Sequence, residues 1–127
     1  MLSTILLVDD NAVQAATRKA ILTYSGQHVV VATGAEKALE LLQDGDLVRD
    51  LKLVITDHLM PGINGPQFVA ELRQRFPVLP ILVLSGLPDA ENEYRGMNVV
   101  HRLKPIAPEQ LIELARSLCR DALGRTA

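Results

Sequence analysis

Hydrophobic positions alternate between two textures along the 127-residue chain. Short runs rich in Val, Ile, Leu and Ala recur at residues 4–8, 28–32, 53–56, 80–84 and 99–103. The first four are nearly continuous in apolar residues, as strands covered on both faces of a parallel sheet are. Between the runs, apolar residues recur every three or four positions. The sets are Val13, Ala16, Ala20, Tyr24; Ala35, Ala38, Leu39, Leu42; Phe68, Val69, Leu72, Phe76; and Leu111, Leu114, Ala115, Leu118, Ala122. Each set predicts one helix stripe facing a core. Gly26 stops the first helix, and Pro108 suits the first turn of the last. Pro77 and Pro80 separate the helix around Phe68–Phe76 from the strand that follows. The tail beyond Asp121 is expected to fray.

Strand and helix alternating five times predicts right-handed βαβ units. The result is an α/β, doubly wound, five-stranded parallel sheet with helices on both faces. Ligands of such sheets sit beyond the carboxyl ends of the strands, where strand order reverses. Four strand ends carry polar residues: Asp9-Asp10 after the first, Asp57 after the third, Ser85-Gly86 after the fourth and Lys104-Pro105 after the fifth. With the flavodoxin-like order 2-1-3-4-5, the first and third strands are neighbours and three carboxylates converge in one crevice. Like charges at that range repel, and some stay protonated unless a counter-charge enters. Mg²⁺ suits the site, because it binds one or two carboxylates together with waters and phosphoryl oxygens. Lys104 cannot neutralise three carboxylates alone, and is better used to hold an anion brought to the site.

Composition narrows the function. Hydrophobic residues are 48% and charged residues 22%, the balance of one ordinary globular domain covering residues 1–127. No apolar run is long enough to span a membrane, and no signal peptide is visible, so a cytoplasmic protein with no membrane partner is expected. The single cysteine, Cys119, excludes an internal disulfide and a thiolate metal cluster. A net charge of −2 offers no general attraction for nucleic acid, and aromatics at 3% leave few stacking platforms.

Taken singly, each strand-end residue has a plainer reading. Asp10 can cap the first helix, Asp9 can be a solvated strand end, and Asp57 can open an Asx turn. Ser85-Gly86 can be turn chemistry, Lys104 a surface lysine, and Pro105 a rigid turn that a cis bond would suit. Their joint placement on four strand ends favours a shared site.

The stretches Leu6-Leu7-Val8-Asp9-Asp10-Asn11, Asp57-His58-Leu59-Met60-Pro61-Gly62-Ile63-Asn64-Gly65, Leu84-Ser85-Gly86 and Leu103-Lys104-Pro105 resemble the receiver domain of two-component response regulators, the CheY-like family. The resemblance spans essentially the whole chain. It implies that Asp57 is the phosphoacceptor and that Asp9, Asp10, Asp57 and the Leu59 backbone carbonyl hold Mg²⁺, with Asp10 the more direct ligand of the Asp pair. Ser85 is then the switch hydroxyl and Lys104 the phosphoryl-binding lysine. The implied partners are a histidine kinase or phosphotransfer protein upstream and a target protein downstream. The domain promotes its own phosphorylation and dephosphorylation rather than acting as an enzyme on another substrate.

The sequence departs from that family at its output side. His101 stands where receivers usually carry a Tyr or Phe switch residue, and Ile106 replaces the Phe that often follows Lys-Pro. The segment between Ser85 and Lys104 is about three residues short, close to one helical turn. With Pro88, Gly96 and the acidic Asp89, Glu91 and Glu93, it predicts a short or poorly formed fourth helix. These departures fall on the surface by which receivers usually dimerise, so a monomer or weak homodimer is expected. His101 remains the candidate partner of Ser85 in the switch. Rival functions fit less well. A haloacid-dehalogenase-type phosphatase needs an Asp where Leu59 stands, and two Asp residues after the first strand would repel the phosphate of a flavodoxin cofactor. The remaining alternative is a receiver-like protein-interaction module that is not phosphorylated.

Overall fold

The computed structural model describes the backbone of residues 3–126 and the side chains of residues 3–121. Five strands, β1 (Thr4–Val8), β2 (His28–Ala32), β3 (Leu51–Asp57), β4 (Ile81–Ser85) and β5 (Val100–Leu103), form one sheet in the order β2-β1-β3-β4-β5. Every pairing is parallel. The expected fold class and strand order are therefore the observed ones. β3 reaches further than the expected 53–56, taking in Leu51, Lys52 and Asp57, whereas Pro80 and Val99 fall just outside β4 and β5.

The alternation of side chains along a strand splits the interior into two cores. Ile5, Leu7, Leu53, Ile55, Leu82 and Leu84 point to one face of the sheet, where Leu22, Leu111, Ala115 and Cys119 cover them. These covering residues belong to α1 (Ala12–Tyr24) and α5 (Pro108–Thr126). Leu6, Val8, Val54 and Val83 point to the other face, against Ala35, Ala38, Phe68, Val69 and Leu72 of α2 (Ala35–Leu41) and α4 (Gly65–Arg75). Burial raises the Cys119 thiol to about 11, so it stays protonated and acts as core. No helix among the described residues is long and apolar enough to cross a membrane.

The helices differ from expectation in two respects. On α1 the stripe Val13, Ala16, Ala20, Tyr24 faces solvent, with Val13 76% and Tyr24 92% exposed. The buried residues are Ala15 and Leu22, with Arg18 and Ile21 half-buried beside them. Ala15, Arg18 and Leu22 satisfy the same three-and-four spacing one phase away, and the arginine hides that phase from a count of apolar residues. A short α3 (Gly45–Asp50) precedes β3 and was not expected. None of its residues is fully buried and only Val48 packs in part against the core, so it leaves no apolar stripe, and it is started by the Asp44 side chain accepting the Asp46 N–H at 2.9 Å. The last helix continues past Asp121 to Thr126; the side chain of Ala122 lies outside the described residues. The other stripes are as expected: Ala35, Ala38, Leu42, Phe68, Val69, Leu72, Leu111 and Ala115 are buried.

Chain punctuation fixes the helix ends. Asn11, not Asp10, caps α1, its side chain accepting the Gln14 N–H at 3.0 Å. That frees Asp10 for another role. Gly26 lies at φ 95°, where the chain leaves α1 in a conformation glycine tolerates best. Asn64 and Gln67 form a reciprocal capping box at the start of α4. Between β4 and β5 there is no α-helix. Residues Pro88–Tyr94 form a 3-10 segment, as the shortened connection predicts.

Candidate functional site

The register of the sheet assembles the crevice. Val8 of β1 pairs with Thr56 of β3, so Asp9 and Asp57 leave adjacent strand ends side by side. Both are buried, at 1% and 3% exposure, whereas Asp10 points outward. One oxygen from each of Asp9, Asp10 and Asp57 lies within 4.8 Å of the others, a spacing a cation can bridge. Hard oxygen donors in this number suit a divalent ion such as Mg²⁺. The Leu59 side chain is exposed.

Lys104 enters from the far side. Its N–H donates to the Ser85 carbonyl at 2.8 Å, the Lys104–Pro105 bond is cis, and its ammonium lies 2.9 Å from Asp57 Oδ1. The crevice therefore unites Asp9, Asp10, Asp57 and Lys104. Ser85 reaches the same rim but is buried, not open to solvent. Its hydroxyl accepts the Leu87 N–H at 2.9 Å and approaches the Leu87 carbonyl at 3.3 Å. In this state the hydroxyl is engaged with the loop after β4.

A second cation was missed in the sequence. Arg18 reaches across from α1, one Nη1 lying 2.8 Å from Asp9 Oδ2 and 3.3 Å from Asp57 Oδ1. Three carboxylates thus face two cations. The crowding still shows in Asp9, whose pKa is pushed up to about 7. Burial is the main cause, and the hydrogen bond and charge of Asp57 add to it. The Asn11 N–H, 2.8 Å from Asp9 Oδ1, and the Arg18 guanidinium pull the other way. The signal that would have found Arg18 is directional. Among the α1 residues on the buried phase it alone is long and cationic, and the carboxylates lie within its reach.

A polar cluster also lies behind Asp57. His58, the next residue, is buried, and its backbone ties β4 to α4: its N–H donates to the Leu84 carbonyl and its carbonyl accepts the Gly65 N–H. Its ring lies between two residues of the 3-10 segment. Nε2 is 3.2 Å from a Glu93 carboxylate oxygen and Nδ1 is 2.7 Å from the Tyr94 hydroxyl. A carboxylate can only accept, so Nε2 carries a proton toward Glu93, and the tyrosine hydroxyl is the partner of Nδ1. Burial and the Glu93 charge both raise the Tyr94 pKa, which keeps that hydroxyl a donor. Gly65 permits the close approach: a Cβ there would overlap the Tyr94 hydroxyl and the His58 backbone.

His101 pairs with Val83, two residues before the Ser85–Leu103 pair, so Ser85 and His101 share a sheet face one step apart. Its ring is tilted 35° to that of Tyr94 at 6.3 Å, and Nε2 is buried without a hydrogen-bond partner. Burial lowers its pKa; Glu91 opposes that, while His58 and Arg102 reinforce it. The buried aromatic ring of this region comes from Tyr94 on the 3-10 segment and not from β5.

Residues 5–116 match the model of the response regulator receiver domain. A receiver protein of Pseudomonas putida is 31% identical, with 92% of this chain and 98% of that one covered at a TM-score of 0.82. The CheY-like receiver of Methanospirillum hungatei, 20% identical, has the same fold at a TM-score of 0.88 over 98% of this chain and 99% of that one. The chain belongs to the receiver-domain family of two-component response regulators. It is also 32% identical over 119 residues to the hydrogenase transcriptional regulatory protein HoxA of Cupriavidus necator, covering 90% of this chain and 23% of that protein. The chain thus spans about a quarter of that curated relative.

Proposed function

We propose that the chain, acting as one receiver unit in the cytoplasm, takes a phosphoryl group onto Asp57 from a histidine kinase or phosphotransfer protein. The observation that carries this is the Asp57 carboxylate at a strand end, with Lys104 at 2.9 Å and two further carboxylates at metal-bridging spacing. Asp9, Asp10, Asp57 and the Leu59 carbonyl would hold Mg²⁺, which supplies charge neutralisation for the phosphoryl oxygens.

One Asp57 carboxylate oxygen attacks phosphorus in line, the O–P bond forms, the N–P bond of the donor phosphohistidine breaks, and the imidazole leaves with a proton. Lys104 stabilises the equatorial oxygens from its side of the crevice. Water later hydrolyses the acyl phosphate at the same site, so the domain resets itself. The new oxygens offer Ser85 a stronger acceptor than the Leu87 carbonyl. As the Ser85 hydroxyl turns to them it releases the Leu87 N–H, and the loop after β4 shifts in population toward a second state that a downstream target protein reads. His101, on the same face, follows that loop, and its inward state is favoured when the ring is neutral. The net charge of −2 gives this domain no general attraction for nucleic acid.

Incubation with acetyl phosphate or beryllofluoride, with and without Mg²⁺, tests the reading. A Mg²⁺-dependent adduct on the wild type that is lost in Asp57→Asn is expected. An adduct of equal yield on Asp57→Asn overturns the assignment. No adduct on either protein favours an interaction module that works without phosphorylation.

A further inference from the structure

We infer that Arg18 is a tethered counter-ion that competes with the divalent cation for the Asp9–Asp57 pair, and so sets the affinity of the crevice for its metal. The inference rests on the metal-assisted phosphoacceptor reading above. Its geometric basis is that a single nitrogen, Arg18 Nη1, bridges Asp9 Oδ2 at 2.8 Å and Asp57 Oδ1 at 3.3 Å. These are the two buried carboxylates of the cluster, and the ion must draw its buried ligands from them. An ion coordinated by oxygen at about 2.0–2.1 Å cannot share that bridging position with a guanidinium. One cation has to yield.

The charge count points the same way. With Arg18 and Lys104 in place, three carboxylates leave a local charge of about −1 for an incoming ion; with Arg18 withdrawn the charge is about −2 and matches a divalent ion. Arginine does not titrate in any accessible range, so the competitor cannot be removed by losing its proton. It must move. An open groove lined by Val13, Thr17, Arg18, Lys104 and Ile106 lies beside it, so the side chain has room to withdraw without unpacking the core. The metal-free crevice is thereby spared an unpaired buried carboxylate pair, and the metal must displace a partner already in place.

Titrating Mg²⁺ alone into the metal-free protein, followed by calorimetry and by amide shifts of Asp9, Asp10 and Asp57, tests this. Arg18→Ala is expected to tighten Mg²⁺ binding about tenfold and Arg18→Gln by somewhat less, whereas Arg18→Lys stays near the wild type. In the wild type the Arg18 side-chain resonances should shift as Mg²⁺ enters. Thermal melts identify any variant that has lost its fold, and Arg18→Gln keeps the side chain's hydrogen-bonding capacity if Arg18→Ala fails. Equal or weaker Mg²⁺ binding in the folded neutral variants, beside a wild type that binds, overturns the competition alone. Absence of Mg²⁺ binding in every protein overturns it together with the metal-assisted reading.

Discussion

The crevice at the ends of β1 and β3 and the cluster behind it lie on the same rim of the sheet, yet they are held in different ways. In the crevice, charges of opposite sign balance one another across gaps of 2.8–3.3 Å, and Asp10 remains open to solvent. In the cluster a hydrogen-bonded chain, Tyr94 to His58 to Glu93, is wedged against a glycine and an apolar core. The first can exchange one cation for another without repacking. The second can change only by repacking, because a buried ring and its hydrogen bond move together. A receiver needs both properties: a pocket that accepts charge, and a segment with two discrete arrangements.

Truncating the cluster should cost stability and spare the chemistry. Tyr94→Ala is expected to destabilise the fold by about 3–5 kcal/mol in urea denaturation, as loss of a buried aromatic does. Asp57 should still take up beryllofluoride at low temperature; loss of uptake in a folded sample would mean the two regions are one unit. The crevice should behave oppositely. Asp10→Ala is expected to weaken Mg²⁺ binding by about tenfold or more, roughly 1.4 kcal/mol, with little change in melting temperature. Lys104→Ala should retain the metal and lose phosphorylation; the reverse pattern in a Mg²⁺ titration would exchange their roles.

A finer cut separates the ring from its hydroxyl. Tyr94→Phe keeps the packing and strands His58 Nδ1, so about 1–3 kcal/mol should be lost. A cost near zero would show that water replaces the hydroxyl. The smallest effect is expected from His101. Burial lowers its folded pKa, so between that value and the ordinary 6.5 the unfolded chain binds more protons. Its contribution is intact above pH 6.5 and is lost as pH falls through that value toward the folded pKa. The slope of stability against pH should flatten in His101→Gln. Beryllofluoride-induced amide shifts near residue 101 should also grow with pH in the wild type and shrink in Ser85→Ala. Identical shifts in both proteins at every pH would send the output through the loop after Asp57 instead.

Nearly continuous apolar runs and the polar residues ending them were enough to read the parallel sheet and, once the flavodoxin-like order was adopted, most of the crevice, because strand ends are where a parallel sheet leaves polar groups uncovered. Helix phase was harder. The α1 stripe was misplaced because Arg18 is pointed inward by two carboxylates that are distant in sequence, and apolar periodicity cannot register a buried cation. His58, Glu93 and Tyr94 were missed as a group for a related reason: 36 residues separate His58 from Tyr94, and only the fold joins them. The short connection of residues 86–98, with its Pro, Gly and acidic residues, led to the expectation of a short or poorly formed fourth helix, and a 3-10 segment stands there.

Arg73 carries one more consequence. Its guanidinium donates to the carbonyls of Phe76, Leu79, Met97 and Asn98 at 2.6–3.0 Å, stitching the end of α4 to the turn that enters β5. The edge strand is therefore moored at its entry by a side chain from another element, not only by the chain that leads into it. A protease nick within the exposed residues 86–89 should then leave two fragments that migrate together on a native gel and separate in denaturant. If they fall apart without denaturant, the mooring is weaker than its four bonds imply. Held, it means that the covalent path between β4 and β5 can be opened, lengthened or re-routed by insertion while the strand keeps its place.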